Sequence, residues 1–307
     1  MPSHYASIHQ EMTADFRKAK FIGRECATGI TWRSPVLPAP CFRREFTVNE
    51  TPQTAQIRFC GLGYGELYLD GEKIGDEVLS PLVSVYDRRT GYRCYEPGAK
   101  LTAGTHTWAV RLGNGWYNCH TADVWHFDKV SWRDAPKMWF ELELDGCVVL
   151  TSDESWKVGT GGIRFDGLRN GEFFDANLEP EGWMQNGFDD SEWETAYLVA
   201  PPGGRLVEQT APPCRVLRRV EPLTLRTGES EWIADFGENL TGWCAIEVEA
   251  APGTEFVIRH FECADAEGLP EDPGIKHLAE FVLSGEFQTD RYIAAGKGIE
   301  SWHPRFT

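Results

Sequence analysis

The sequence predicts an all-β protein: two antiparallel β-sandwiches of jelly-roll type in tandem, the second truncated at its C-terminal end. Three observations carry this. Apolar residues recur with period two from Cys41 onward, the spacing that puts alternate side chains on one face of a strand. Two Asp-Gly pairs, Asp70-Gly71 and Asp145-Gly146, sit between alternating runs, where a two-residue hairpin turn needs both positions to accept positive φ. Apolar stretches of helical period stay within about two turns, and 31 Gly with 18 Pro supply the bends that many short strands require.

In chain order, residues 1–40 are expected to be an irregular lead. Pro35, Pro38 and Pro40 stop any helix near its end, and residues 12–20 have room for a turn or two of helix. The first sandwich is expected over 41–200. Phe42, Phe46 and Val48 share a strand face, as do Ala55, Ile57 and Phe59, and Trp108, Val110 and Leu112. Glu66-Leu67-Tyr68-Leu69 enters the first Asp-Gly turn and leaves through Lys73-Ile74-Gly75. Phe140, Leu142 and Leu144 enter the second, and Val148 and Leu150 return from it. A linker is expected over 201–214, marked by Pro201-Pro202-Gly203-Gly204 and Pro212-Pro213. Alternation then resumes over 215–307 in Leu223 and Leu225, in Trp232, Ala234 and Phe236, and in Cys244, Ile246 and Val248. Phe256, Ile258 and His260, then Phe281 and Leu283, complete the series, with Pro252-Gly253 as a turn. Phe306-Thr307 opens a strand without continuing it, so the sequence reads as a fragment of a longer protein.

Composition narrows the partners. Forty-seven acidic against 30 basic residues give a net charge of −17, which argues against a nucleic acid or an anionic membrane surface. No stretch approaches the ~20 apolar residues of a membrane span, and the N-terminus carries no apolar core of an export signal. Nine scattered cysteines, odd in number and without a C-x-x-C, read as reduced thiols of a cytoplasmic protein. The sequons at Asn49 and Asn239 carry no weight without an export signal.

Ordered motifs run through the sequence. Ala39-Pro40-Cys41-Phe42-Arg43-Arg44-Glu45-Phe46 opens the first strand series, followed by GLGYGELYLDGEKIG at 61–75 and LGNGWY at 112–117. Trp125-His126-Phe127-Asp128-Lys129, Trp132-Arg133-Asp134-Ala135-Pro136 and Thr151-Ser152-Asp153-Glu154-Ser155-Trp156-Lys157 come next. Gly171-Glu172, Asp175-Ala176 and Phe188-Asp189-Asp190-Ser191-Glu192-Trp193 close the first half. Asp235-Phe236-Gly237-Glu238-Asn239-Leu240-Thr241-Gly242-Trp243, His260-Phe261-Glu262, Asp290-Arg291-Tyr292 and His303-Pro304-Arg305-Phe306-Thr307 mark the second.

In order and spacing this set resembles the N-terminal sandwich domains of bacterial α-L-rhamnosidases across residues 40–307. The resemblance implies a glycoside hydrolase that removes terminal α-L-rhamnose with inversion. Its two carboxyl groups, set ~6.5–9.5 Å apart, would lie in an (α/α)6 barrel that follows these sandwiches. No catalytic residue is then expected in this chain, and no cofactor or metal. The partners implied are rhamnose-containing glycosides, reached through the barrel, and the barrel itself. A stand-alone carbohydrate-binding module is the alternative, or a structural interaction domain that forms homo-oligomers.

Within the chain the candidate sugar-binding or inter-domain contacts are Asn114, Trp116, Tyr117, Asp235, Glu238 and Asn239. Gly113 and Gly115 free the backbone around Asn114 and Trp116, so an indole, a phenol and an amide could line one edge; equally, Trp116 could cap the core. Asp235 and Glu238 could touch a neighbouring sugar pocket, or Asp235 and Asn239 could simply close a turn about Gly237. Cys119, His120, Asp123, His126 and Asp128 have metal-ligand chemistry, but uneven spacing and a mixed soft and hard donor set favour a scaffold loop. Gly61, Gly63 and Gly65 are not a dinucleotide fingerprint, because a strand and a turn follow where a helix N-terminus is needed.

Overall fold

The computed structural model describes residues 19–24, 37–122, 125–229, 231–271, 282 and 286–307. Most of the expected helical turn at 12–20, together with Pro35, Asp123, Phe281 and Leu283, lies outside these residues.

The fold is all-β, and its main body is a sandwich of two sheets. One sheet runs edge to edge through Tyr197–Leu198, Ile22–Gly23, Lys137–Leu144, Ala55–Leu62, Arg89–Tyr95 and Arg205–Glu208, with Cys147–Thr151 folded back on Lys137–Leu144. The other runs through Glu194–Thr195, Lys157–Thr160, Pro40–Val48, Gly104–Gly113, Tyr64–Leu69 and Glu72–Lys73. Neighbours are antiparallel, except that Arg205–Glu208 lies parallel to Arg89–Tyr95. Both Asp-Gly turns form as the sequence predicts, with φ of 51° and 85° at Asp70 and Gly71 and 48° and 78° at Asp145 and Gly146.

Strand parity decides what is buried. Phe42, Leu67, Trp108, Val110 and Val158 of one sheet meet Ile57, Phe59, Phe140 and Leu142 of the other in a shared core. Each such side chain contributes roughly 1.5–3 kcal/mol by leaving water. The outward faces are covered as well. Cys60, Leu62 and Trp139 point away from that core and are roofed by Tyr86, Tyr117 and Trp132. On the opposite side Cys41, Tyr68 and Ala109 lie under Trp183, with Phe188 and Trp193 beside it. Arg43 fastens this second roof: its Nε donates to the Trp183 carbonyl at 3.1 Å, its guanidinium pairs with Glu45 and Asp190, and it sits over the Phe188 ring.

Three segments depart from the expected organisation. The lead contributes Ile22–Gly23 to the larger sheet, and Ile22 is fully buried in the core. The expected linker is docked for part of its length: Arg205–Glu208 extends the larger sheet, and Cys214–Arg215 pairs with Glu77–Val78. Gly204 permits the docking, since a Cβ there would stand 2.4 Å from the Tyr86 carbonyl oxygen. The hairpin of Ile163–Gly167 and Gly171–Asp175, inside the span expected for the first sandwich, joins a four-stranded sheet with Thr289–Ile293 and Glu255–Arg259. It pairs parallel to Thr289–Ile293, and Phe174 stacks on Tyr292 with centroids 6.0 Å apart, so its apolar face looks toward the second unit.

That second unit also holds paired strands Ile246–Glu249 with Ile299–Trp302 and Thr224–Thr227 with Trp232–Asp235. Its small core gathers Tyr292, Ala294 and Trp302 with Ile246, Val248, Phe256 and Ile258.

Candidate functional site

LGNGWY starts at the end of strand Gly104–Gly113, where the glycines of GLGYG press against it. A Cβ on Gly63 would stand 1.9 Å from the Asn114 carbonyl oxygen, so only glycine fits. The run is thus a packing device between strand ends. Asn114 is buried, and its amide is spent inside the protein. Its backbone N–H donates to Asp166 Oδ1 at 2.7 Å, its Nδ2 donates to the Asp166 carbonyl at 2.9 Å, and its Oδ1 accepts from Asn118 Nδ2 at 2.8 Å. Tyr117 is core, stacked on Trp132 and edge-on to Tyr86 at 5.2 Å. Trp116 is half-buried and packs on Phe127 at 5.2 Å and edge-on to Trp125 at 6.0 Å.

Asp235, Glu238 and Asn239 are exposed in the second unit. Asp235 Oδ1 accepts the Gly237 N–H at 2.7 Å, closing a turn in which Gly237 has φ of 73°. Glu238 pairs with Arg218 at 2.6 Å. Among the described residues, no hydrogen bond, ion pair or ring contact joins this group to Asn114, Trp116 or Tyr117.

A cluster of perturbed acidic groups lies between the two units, at positions the candidate-site reading did not select. Asp166 and Glu172 face each other across the hairpin, each 1% exposed. Glu172 Oε2 accepts the backbone N–H groups of Arg305 at 3.0 Å and Phe306 at 3.3 Å, while its Oε1 has no partner. The Glu172 N–H donates to Asp290 Oδ1 at 2.8 Å, and Asp290 Oδ2 meets His260 Nε2 at 2.8 Å. Arg305 Nη1 crosses to the first sandwich and donates to Glu66 Oε2 at 3.0 Å and Tyr68 Oη at 3.3 Å.

Burial pushes the Glu172 carboxyl up to about 8 against its Arg305 hydrogen bond. Burial likewise pushes Asp166 up to about 7, opposed by the Asn114 N–H. At Glu66 burial pulls upward, but Arg305 and Lys73 outweigh it and hold the group at about 2. Hydrogen bonds from the His260 ring to Asp290, and next to Cys244, raise it to about 9. Three motifs separate in sequence, Gly171-Glu172, Asp290-Arg291-Tyr292 and Pro304-Arg305-Phe306, therefore meet at one junction. Their spacing announces a pattern, and only the fold shows that it is a weld.

An open groove of about 490 Å³ runs beside this junction, lined by Phe174, Ala176, Glu179, Trp183, Lys297 and Glu300. Its carboxylates are committed. Glu179 pairs with Arg111 and accepts from Trp183 Nε1 at 2.8 Å, and Glu300 accepts from Tyr292 Oη at 2.6 Å and the Ala295 N–H at 2.9 Å. Among the described residues, no three His, Cys, Asp or Glu side chains converge on a point where they could hold a metal.

The fold and this junction define an all-β protein whose two units are joined through buried carboxyl groups. The profile of the Alpha-L-rhamnosidase N-terminal domain matches residues 50–218, and that of the Bacterial alpha-L-rhamnosidase concanavalin-like domain matches 225–307. The chain belongs to the bacterial α-L-rhamnosidase family. It is 34% identical to an α-L-rhamnosidase of Formosa agariphila over 96% of its own length and 32% of that protein. The α-L-rhamnosidase structure from Dictyoglumus thermophilum superposes with a TM-score of 0.80 at 32% identity, covering 94% of this chain and 32% of that one. The Aspergillus terreus enzyme gives 0.83 at 27% identity, covering 95% and 33%. The chain thus spans about a third of the length of these relatives.

Proposed function

We propose that this chain is the non-catalytic N-terminal region of a cytoplasmic α-L-rhamnosidase, a glycosidase that hydrolyses terminal α-L-rhamnosides with inversion. Its two sandwiches, divided near residues 201–214, buttress a catalytic (α/α)6 barrel that follows them in the same protein. The observation that carries this is the apolar surface of the second unit. Leu217 is 93% exposed and Trp232 62%, and Leu223 and Leu225 are exposed as well, large apolar side chains that a covering partner would take out of water. The eight cysteines among the described residues are all free, which agrees with a reducing compartment. In this role Asp235, Glu238 and Asn239 face the buttressed partner, and Asn114 and Tyr117 hold the first sandwich in shape.

The experiment compares the 307-residue chain with a chain extended through the remaining two thirds of its relatives' length, on a chromogenic α-L-rhamnoside. Hydrolysis by the extended protein and none by the shorter one is the expected result. Turnover by the 307-residue chain alone overturns the assignment.

A further inference from the structure

The small core of the second unit ends in three residues of another kind. Ile246 and Val248, Phe256 and Ile258, and Tyr292 and Ala294 form the apolar rows that meet there. Two residues further along each row, the same strand parity places Cys244, His260 and Asp290 at one end of the core. There they join. Asp290, 1% exposed, holds His260 Nε2 at 2.8 Å through Oδ2 and accepts the Glu172 N–H at 2.8 Å through Oδ1. The other side-chain hydrogen bond of the His260 ring runs to Cys244.

The three differ in exposure in a useful order. The carboxylate is buried, the imidazole keeps 30% of its side chain in water, and the thiol is half-buried. Cys244 follows Trp243, whose ring stacks on His303 at 5.8 Å, and leads into strand Ile246–Glu249, so its backbone is held on both sides. A nucleophile, a base in hydrogen-bond reach and a third group that orients the base are the parts that activate a side chain for attack. Its hydrogen bonds to Asp290 and Cys244 raise His260 to about 9, so the ring keeps its proton at neutral pH. A cysteine reacts through its thiolate, and a neighbouring imidazolium favours that form. Other thiols of the chain lack this setting. Cys41 and Cys60 are fully buried, and burial pushes both thiols up. Cys147, Cys214 and Cys263 are simply open to solvent.

We propose that Cys244, beside His260 and Asp290, is a reversible oxidation site for hydrogen peroxide and small hydroperoxides. The thiolate sulfur attacks one peroxide oxygen, and an S–O bond forms as the O–O bond breaks. Sulfur is oxidised to the sulfenic acid and the peroxide is reduced. The departing hydroxide takes the His260 proton and leaves as water. A small thiol reverses the step: one molecule displaces water to form a mixed disulfide, and a second releases Cys244 and leaves as the small disulfide. The site uses no part of the hydrolytic reading above.

The test treats the 307-residue chain with hydrogen peroxide at neutral pH in the presence of dimedone, which traps sulfenic acids. Mass spectrometry follows each cysteine. Labelling at Cys244 at least about tenfold faster than at Cys147, Cys214 or Cys263 is the expected result, abolished when dithiothreitol is added before dimedone. His260→Gln keeps a polar side chain and loses the cationic ring. It should slow labelling at Cys244 at least about tenfold and leave the three exposed cysteines unchanged. An unchanged urea midpoint shows that the variant folds, and the comparison within the wild-type chain needs no variant at all. Labelling of Cys244 no faster than that of the exposed cysteines overturns the proposal. So does an undiminished Cys244 rate in folded His260→Gln.

Discussion

The backbone N–H and the side-chain amide of Asn114 both bind Asp166, at 2.7 Å to Oδ1 and 3.2 Å to Oδ2, which ties the LGNGWY turn to the hairpin that leaves the first sandwich. The sequence leaves Asn114 as either a sugar contact or an inter-domain contact, and in the fold it faces the buried Asp166 carboxyl group.

Asn114→Ala therefore lowers stability. Removing the amide leaves Asp166 Oδ2, the Asp166 carbonyl and the Asn118 Nδ2 donor without this buried partner, at a cost of about 1–3 kcal/mol. Urea unfolding gives the loss as a lower midpoint at unchanged slope. A variant of wild-type stability would show that these hydrogen bonds do not hold the turn to the hairpin.

Stability should fall as the pH rises from about 4 to 9. A buried carboxyl group with a raised pKa binds a proton in the folded state that the unfolded chain has already released. Its stabilising effect is full below the unfolded value and lost as pH climbs through the folded one. Asp166 passes through about 7 and Glu172 through about 8. His260, raised to about 9 by Asp290 and Cys244, contributes stability below its unfolded value that is lost in the same direction. Glu172→Gln mimics the protonated carboxyl and should flatten the profile between about pH 4.5 and 8. Parallel profiles for the variant and the wild type would show that Glu172 is not the titrating group.

How much of this was legible in the sequence varies with the physics behind each element. The strands of the first sandwich were, because Trp108, Val110 and Leu112 alternate with residues of the opposite face, and because Asp70-Gly71 and Asp145-Gly146 demand hairpins. The short strand Ile22–Gly23 was not, since two residues carry no period. Arg205–Glu208 was hidden by its Pro- and Gly-rich neighbours, which mark turns whether or not a strand sits between them. At the candidate site, aromatic type and flanking glycines selected Trp116 but could not separate it from Tyr117, whose burial depends on Trp132 and Tyr86 arriving from elsewhere in the chain. Asp166 lies in none of the quoted motifs, and Gly171-Glu172 gives no sign of the role of its carboxyl group, because their partners lie 52 and more than 130 residues away.

Two tryptophans should separate core from covered surface. Trp156 is fully buried between the sheets, edge-on to Phe140 at 5.2 Å, with Nε1 donating to the Thr151 carbonyl at 3.0 Å. Trp156→Ala costs about 3–5 kcal/mol. Trp232→Ala, at an exposed position, changes the stability of the 307-residue chain by no more than about 0.5 kcal/mol. In the extended protein the same Trp232 change should lower the thermal midpoint, because there the indole is covered. Equal effects in both lengths would remove the buttress from this face.

Gly113 and Phe306 offer the sharpest test of the weld. A Cβ on Gly113 would stand 2.4 Å from Phe306 Cγ, and Phe306 is buried among Ala39, Tyr64 and Ile163. Backbone and ring both belong to fixed elements, so the added methyl must push the C-terminal segment off the first sandwich. With it go the hydrogen bonds from Arg305 and Phe306 to Glu172 and from Arg305 to Glu66. Gly113→Ala should therefore destabilise by about 1–3 kcal/mol through overpacking, and Phe306→Ala by about 3–5 kcal/mol through the cavity it leaves. In the double variant the methyl enters space the ring has vacated, so the combined loss is smaller than the sum by more than about 0.5 kcal/mol. Strict additivity across the cycle would mean that the two residues do not touch in solution and that the C-terminal segment is not clipped to the first sandwich through this contact.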